Sequence, residues 1–161
     1  MLTGIPSVLP TELLKILMEM GHGDSIVIGY GNFPGAALGQ RLVRCDGIGT
    51  VRLLDAILRL MPLDSYSEYQ AALMEVVPGD PYVPEIWEDY KAIIRRYEPL
   101  HNKIETVERF AFYEMTKKAY AVVTSSELAL YANVILRKGV VTGDIPVPEH
   151  IHAKKDRRAG F

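Results

Sequence analysis

The chain has a single cysteine, Cys45, so no intramolecular disulfide can form. The first residues lack the basic start, long apolar core and small-residue cleavage site of a secretory signal, and a reducing, cytoplasmic setting is expected. An excess of either charge is also missing. Lys and Arg number 18 against 20 Asp and Glu, a formal net charge of -2, which offers no attraction to nucleic acid or to an anionic membrane. No apolar run approaches the roughly 18 residues that cross a bilayer, and repeats and low-complexity segments are absent. Gly29-Tyr30-Gly31-Asn32-Phe33-Pro34 begins like a dinucleotide fingerprint but carries proline where the last glycine belongs. Neither a GK[ST] phosphate loop nor a G-x-S-x-G nucleophile elbow occurs. Clustered metal-type ligands reduce to His150 and His152, in a stretch that reads as a solvated arm, so no metal is expected.

What is present suits one globular domain. The 161 residues, 48% of them hydrophobic, are enough to bury one sizeable core. Residues 1–141 read as that domain; 142–161 are proline-dotted, charged and aperiodic, an arm or a disordered tail. Pro10-Thr11-Glu12 opens a helix with Leu13, Leu14, Ile16, Leu17 and Met20 on one face, and Gly21 is its expected left-handed terminator. Residues 25–28 are too short and too apolar for a surface helix and read as a strand buried on both faces. The loop 29–35 then lies at that strand's carboxyl end, where open α/β sheets bind ligands. Further strands are expected at 41–45, 71–77, 104–107, 119–124 and 134–136. Helices are expected from a Thr50 cap to Met61, over 85–97 and 109–118, and in a short segment capped by Ser126. Alternating strands and helices predict an α/β fold with a largely parallel or mixed sheet between helical layers.

Polar residues in or beside the predicted loops are the candidates for chemistry: His22, Asp24, Tyr30, Asp64, Arg109, Tyr113, Tyr131 and Asn133. His22 stands out. It lies between two glycines at the carbonyl end of a helix, where the dipole favours a cation, and Asp24 follows.

Several blocks, in order, closely resemble the RbsD/FucU family of sugar mutarotases: Gly21-His22-Gly23-Asp24, Asn32-Phe33-Pro34, Arg44-Cys45-Asp46-Gly47, Pro62-Leu63-Asp64-Ser65-Tyr66, Glu108-Arg109-Phe110-Ala111-Phe112-Tyr113-Glu114 and Tyr131-Ala132-Asn133 through Gly139. The Arg-Phe-Ala-Phe-Tyr-Glu block resembles the L-fucose branch more than the ribose pyranase branch. The resemblance implies a three-layer α/β/α sandwich, a ring-shaped homo-oligomer with sugar pockets completed by a neighbouring subunit, and cofactor-free interconversion of the anomers of a free monosaccharide. It implies His22 as proton donor, Tyr113 and Asp64 as further catalytic candidates, and Arg109, Tyr131 and Asn133 as sugar ligands. Tyr30 stands where the family usually has an aspartate that holds sugar hydroxyls, so a phenol replaces a carboxylate in the expected substrate site.

The chemistry suits these residue types. Opening a pyranose delivers a proton to the ring oxygen while the anomeric hydroxyl loses its own, and reclosure on the other face of the aldehyde reverses both. Histidine, with an unperturbed pKa of about 6.5, is the side chain nearest that working range. Each residue also has a bland reading. His22 can cap the last carbonyls of the helix, Asp64 can form a turn, and Arg109 can pair with Glu105 or Glu108. Tyr113 can be core or interface, and Cys45 a small buried hydrophobe. Two classes of function stay open at this point: a mutarotase, of fucose or of ribose type, and a non-catalytic sugar-binding or regulatory protein on the same scaffold.

Overall fold

The computed structural model describes residues 1–143. The expected tail therefore lies outside the described residues except for its first two positions, as do His150 and His152. In chain order the elements are α1 (Thr11–Glu19), β1 (Ser25–Gly29), α2 (Gly35–Leu38), β2 (Leu42–Cys45), α3 (Thr50–Leu58), β3 (Ala71–Met74), α4 (Ile86–Tyr97), β4 (Ile104–Val107), α5 (Arg109–Lys118), β5 (Ala121–Ser125) and β6 (Val134–Arg137). The sheet runs β2-β5-β1-β6-β3-β4. It is mixed: β6 pairs antiparallel with β1 and β3, and the other pairings are parallel.

Side chains alternate across this sheet. Ile26, Ile28, Leu73, Val123, Val134 and Leu136 meet Leu13 and Leu17 of α1, Leu53, Leu54 and Ile57 of α3, and Tyr90 and Ile94 of α4. Val27, Ala72, Met74, Val122 and Ile135 face the other way, onto Phe33 of the loop after β1 and Phe112 of α5. Two cores, one on each face, make the expected α/β/α sandwich. They also explain why the strands read as continuous apolar runs rather than alternating ones. Among the described residues no helix is long and apolar enough to cross a membrane.

Three local expectations are corrected. Helix α1 stops at Glu19 because Met20 leaves the helical region (φ -58, ψ 132); the left-handed residue is Gly23 (φ 84), not Gly21. Thr50 is the first residue of α3 rather than its cap, and its hydroxyl accepts from the buried Tyr90 phenol at 2.5 Å. No helix follows Ser126. Its Oγ instead accepts from Gly47 N at 2.7 Å, and Glu127 Oε1 accepts from Leu128 N and Ala129 N, which holds the segment as a turn.

Candidate active site

Five strands share one direction, so the sheet has a carboxyl edge and an amino edge, and each gathers a different set of polar residues. At the carboxyl edge a cavity of about 200 Å³ is lined by Tyr30 after β1, Asp80 after β3, Arg109 and Tyr113 at the start of α5, and Tyr131 and Asn133 before the reversed strand β6. Phe33 and Met74 supply apolar wall. Only because β6 runs backwards does Asn133, which precedes it, arrive beside Tyr30, which follows β1: Val134 pairs with Ile28.

The cavity is held by specific bonds. Asn133 is buried, and its Oδ1 accepts from Tyr30 N at 3.1 Å, fixing the loop after β1. Tyr131 occupies the left-handed region (φ 59), uncommon for a tyrosine. It is held there by four contacts: Trp87 Nε1 donates to its carbonyl at 2.9 Å, its phenol donates to Asp80 Oδ2 at 2.6 Å and accepts from Val77 N at 3.4 Å, and its ring packs 5.9 Å from that of Tyr82. The bond from Tyr131, with a second from Tyr82 N, holds the Asp80 carboxyl below its ordinary value against a smaller opposing effect of burial. The same bond pushes the Tyr131 phenol upward. Arg109 lies 4.6 Å over the Phe110 ring. Its expected bland partners are engaged elsewhere. Glu108 caps α5 by accepting from Phe110 N and Ala111 N, and Glu105 faces Lys103 at 3.8 Å. Tyr113 meets Phe33 and Phe110 edge-on at 6.1 and 6.3 Å while lining the cavity.

The amino edge holds His22 and Asp64. His22 Nε2 lies 2.9 Å from Asp64 Oδ1. An ionised carboxylate only accepts, so Nε2 carries the proton of that bond and Nδ1 faces away from it. Asp64 is 5% exposed and its oxygens are well occupied: Oδ1 also accepts from Tyr66 N, and Oδ2 accepts from the Ser67 hydroxyl. Burial raises its carboxyl pKa, but the bonds from Ser67, His22 and Tyr66 together outweigh that and the net shift is downward. The capping role open to His22 falls to another residue. Lys138 Nζ donates to the carbonyls of Leu17 and Met20, at 2.7 and 2.5 Å, leaving the imidazole for Asp64. Gly139 sets the spacing here, since a Cβ on it would lie 2.3 Å from Leu63 O. Asp24 serves the turn, accepting from Gly21 N at 2.7 Å.

The residues expected to share one site are thus divided. Tyr30, Arg109, Tyr113, Tyr131 and Asn133 come together; His22 and Asp64 do not join them. The strand between His22 and Tyr30 is five residues long, which at about 3.3 Å per residue separates the edges by roughly 16 Å. Asp80 and Trp87 were not among the expected site residues. The Pro78-Gly79-Asp80-Pro81 stretch reads as a turn, and nothing in it marks the carboxylate as facing a pocket. Among the described residues no group of three or more His, Cys, Asp and Glu gathers as a metal site would require.

Comparison with known proteins is consistent with this architecture. The model of the RbsD / FucU transport protein family matches residues 3–141. An L-fucose mutarotase of Actinobacillus pleuropneumoniae serotype 5b is 46% identical over 140 residues, 87% of this chain and 97% of its own. The fucose mutarotase of Homo sapiens is 47% identical over 146 residues, 87% and 94% of the two chains. Among solved structures, the fucose mutarotase of Streptococcus pneumoniae in complex with L-fucose superposes with a TM-score of 0.84 at 48% identity, covering 88% of this chain and all (100%) of the other.

Proposed function

Because the chain belongs to the RbsD/FucU family, we propose that it is a mutarotase that interconverts the anomers of L-fucose or a closely related monosaccharide. The observation that carries the reading is the polar cavity at the carboxyl edge, lined by Arg109, Tyr113, Tyr131 and Asn133, in a chain 48% identical to a fucose mutarotase solved with its sugar. A sugar presents hydroxyls that both donate and accept. Arg109 offers up to five N–H donors in a fixed fork, and the phenols and Asp80 supply acceptors.

The acid is His22, delivered from the amino edge of a neighbouring subunit. No single subunit brings His22 to its own cavity, and a head-to-tail contact that closes into a ring places the amino edge of one copy against the carboxyl edge of the next. Exposed apolar side chains flank both halves: Tyr66, 78% exposed, beside the His22 ring, and Phe110, 62% exposed, beside the cavity. Such residues at complementary edges suit burial in a subunit interface.

In the reaction His22 gives the proton on Nδ1 to the ring oxygen as the C1–O5 bond breaks, and the anomeric hydroxyl passes its proton through the Tyr113 phenol to solvent water as the aldehyde forms. After rotation about C1–C2 the hydroxyl attacks the other face and both transfers reverse. Asp64 fixes the orientation of the imidazole; its occupied oxygens suit that role better than direct proton exchange. Tyr113 hydrogen-bonds the reacting end of the sugar or relays its proton. Only protons move, so the chemistry calls for no electron carrier. The buried, unpaired Cys45 fits a reducing cytoplasmic setting.

The test is proton NMR magnetisation exchange between the α and β anomers of L-fucose, with the protein and with His22→Ala. The expected result is acceleration by the wild type that the variant lacks while its circular dichroism is unchanged. Binding of L-fucose without acceleration would overturn the enzymatic reading in favour of a sugar-binding protein.

A further inference from the structure

The cavity contains one acid. Of its lining residues Asp80 alone carries a carboxylate, Arg109 alone a permanent cation, and the remaining polar side chains are phenols and amides. Its place is defined by the backbone. Gly79 takes the left-handed conformation (φ 88) and Asp80 N donates to Val77 O at 3.1 Å, a tight turn that carries the carboxylate back over the end of β3. Each oxygen then has one protein donor: Tyr82 N on Oδ1 at 2.9 Å, and the Tyr131 phenol on Oδ2 at 2.6 Å. A carboxylate has about four acceptor positions, so one remains on each oxygen. Two acceptors on one rigid, oriented group match two O–H donors on adjacent carbons.

Resting on the proposed function, we propose that Asp80 is a substrate-contacting residue whose carboxylate accepts from a vicinal pair of sugar hydroxyls, and that it makes the cavity selective for sugars carrying that pair. Arg109 complements it by donating to sugar oxygens. Tyr131 has a double part: it contributes its own oxygen to the cavity and fixes the rotation of Asp80. The strained backbone of Tyr131, clamped by Trp87, keeps the phenol at the distance this requires. Asp80→Asn preserves size but turns one oxygen into a donor, so one hydroxyl meets the wrong partner.

The experiment compares wild type, Asp80→Asn, Tyr131→Phe and the double variant by anomer exchange of L-fucose and by titration of the fluorescence of Trp87, the only tryptophan, with L-fucose and with its monodeoxy analogues. The expected result is that Asp80→Asn raises KM and Kd about 10- to 100-fold, as loss of charge-assisted bonds entails, with a smaller change in kcat. It should also lose preference for fucose over one deoxy analogue. Tyr131→Phe, which keeps the carboxylate, should retain that preference. Unchanged Trp87 emission in the sugar-free Asp80→Asn protein shows that Tyr131 has not moved. Four outcomes resolve the matter. Wild-type acceleration with equal affinity in Asp80→Asn overturns the role of Asp80 and leaves the mutarotase reading intact. Equal losses in both variants, with no further loss in the double variant, reduce Asp80 to a support for Tyr131. Sugar binding without acceleration, weakened by Asp80→Asn, overturns the mutarotase reading and supports Asp80. Neither binding nor acceleration by the wild type overturns both.

Discussion

The two edges of the sheet are built on different principles. At the carboxyl edge the polar groups line a hollow: Tyr30, Asp80, Arg109, Tyr113 and Tyr131 face a common space and are positioned mainly by backbone and aromatic contacts. The amino edge is the reverse, a compact network in which Arg137, Ser67, Asp64 and His22 are joined to one another. One edge encloses a hollow with donors and acceptors on several sides, the other holds one imidazole in one orientation. Under the proposed function this division gives recognition to one surface and proton transfer to the opposite one, and the proposed catalyst works between subunits.

The largest effect expected is the one that breaks the division directly. His22→Ala removes the acid from the amino edge and lowers anomer exchange by about 10²–10⁴-fold, and Arg109→Ala disables the cavity. Co-refolding the two inactive proteins should restore activity, since about a quarter of the interfaces in a randomly mixed head-to-tail ring pair an intact amino edge with an intact cavity. Mixed protein no more active than its components would place both halves within one subunit.

Structural changes should separate the edges by their consequences. Gly139→Ala forces a Cβ against Leu63 O and should cost roughly 1–3 kcal/mol, seen as a drop of several degrees in Tm. Because Leu63 precedes Asp64, kcat should fall with it while L-fucose affinity holds. Trp87→Phe leaves the Tyr131 carbonyl without its donor, a loss of about 1–2 kcal/mol, and should do the opposite: KM rises more than kcat falls. Identical kinetic signatures in the two variants would contradict the contrast between the edges.

Much of this was legible in the sequence, for identifiable reasons. Strands buried on both faces leave runs such as Ser25-Ile26-Val27-Ile28, and these were read correctly even where short. The region after Ser125 was misread, because Ser126 and Glu127 are also good turn formers and their side chains found partners at Gly47, Leu128 and Ala129. The division of the site was present in the order of the chain, since a strand lies between His22 and Tyr30 and must hold them apart. What the sequence does not reveal is direction. That Tyr131 and Asn133 join Tyr30 and not His22 follows from the antiparallel placement of β6. Asp80 escaped notice because a turn aspartate and a pocket aspartate are written with the same letters, and only the 2.6 Å contact with Tyr131 separates them.

The smallest effect is a pH dependence confined to the amino edge. The Asp64 carboxyl sits below its ordinary value because the bonds from Ser67, His22 and Tyr66 outweigh its burial. The sign follows from linkage. A carboxyl depressed in the folded state contributes stability that is fully present above its unfolded value, about 3.9, and that is lost as pH falls through the folded value. Wild type should therefore exceed Asp64→Asn in Tm by a constant margin from pH 7 down to about pH 5, and the margin should narrow on further acidification as the wild-type carboxylate takes up its proton. Denaturation scans of the two proteins across pH 3–7 measure this. A margin that stayed constant to pH 3 would mean that the Asp64 carboxyl is not held below its ordinary value, and a margin that widened below about pH 5 would mean that it is held above it.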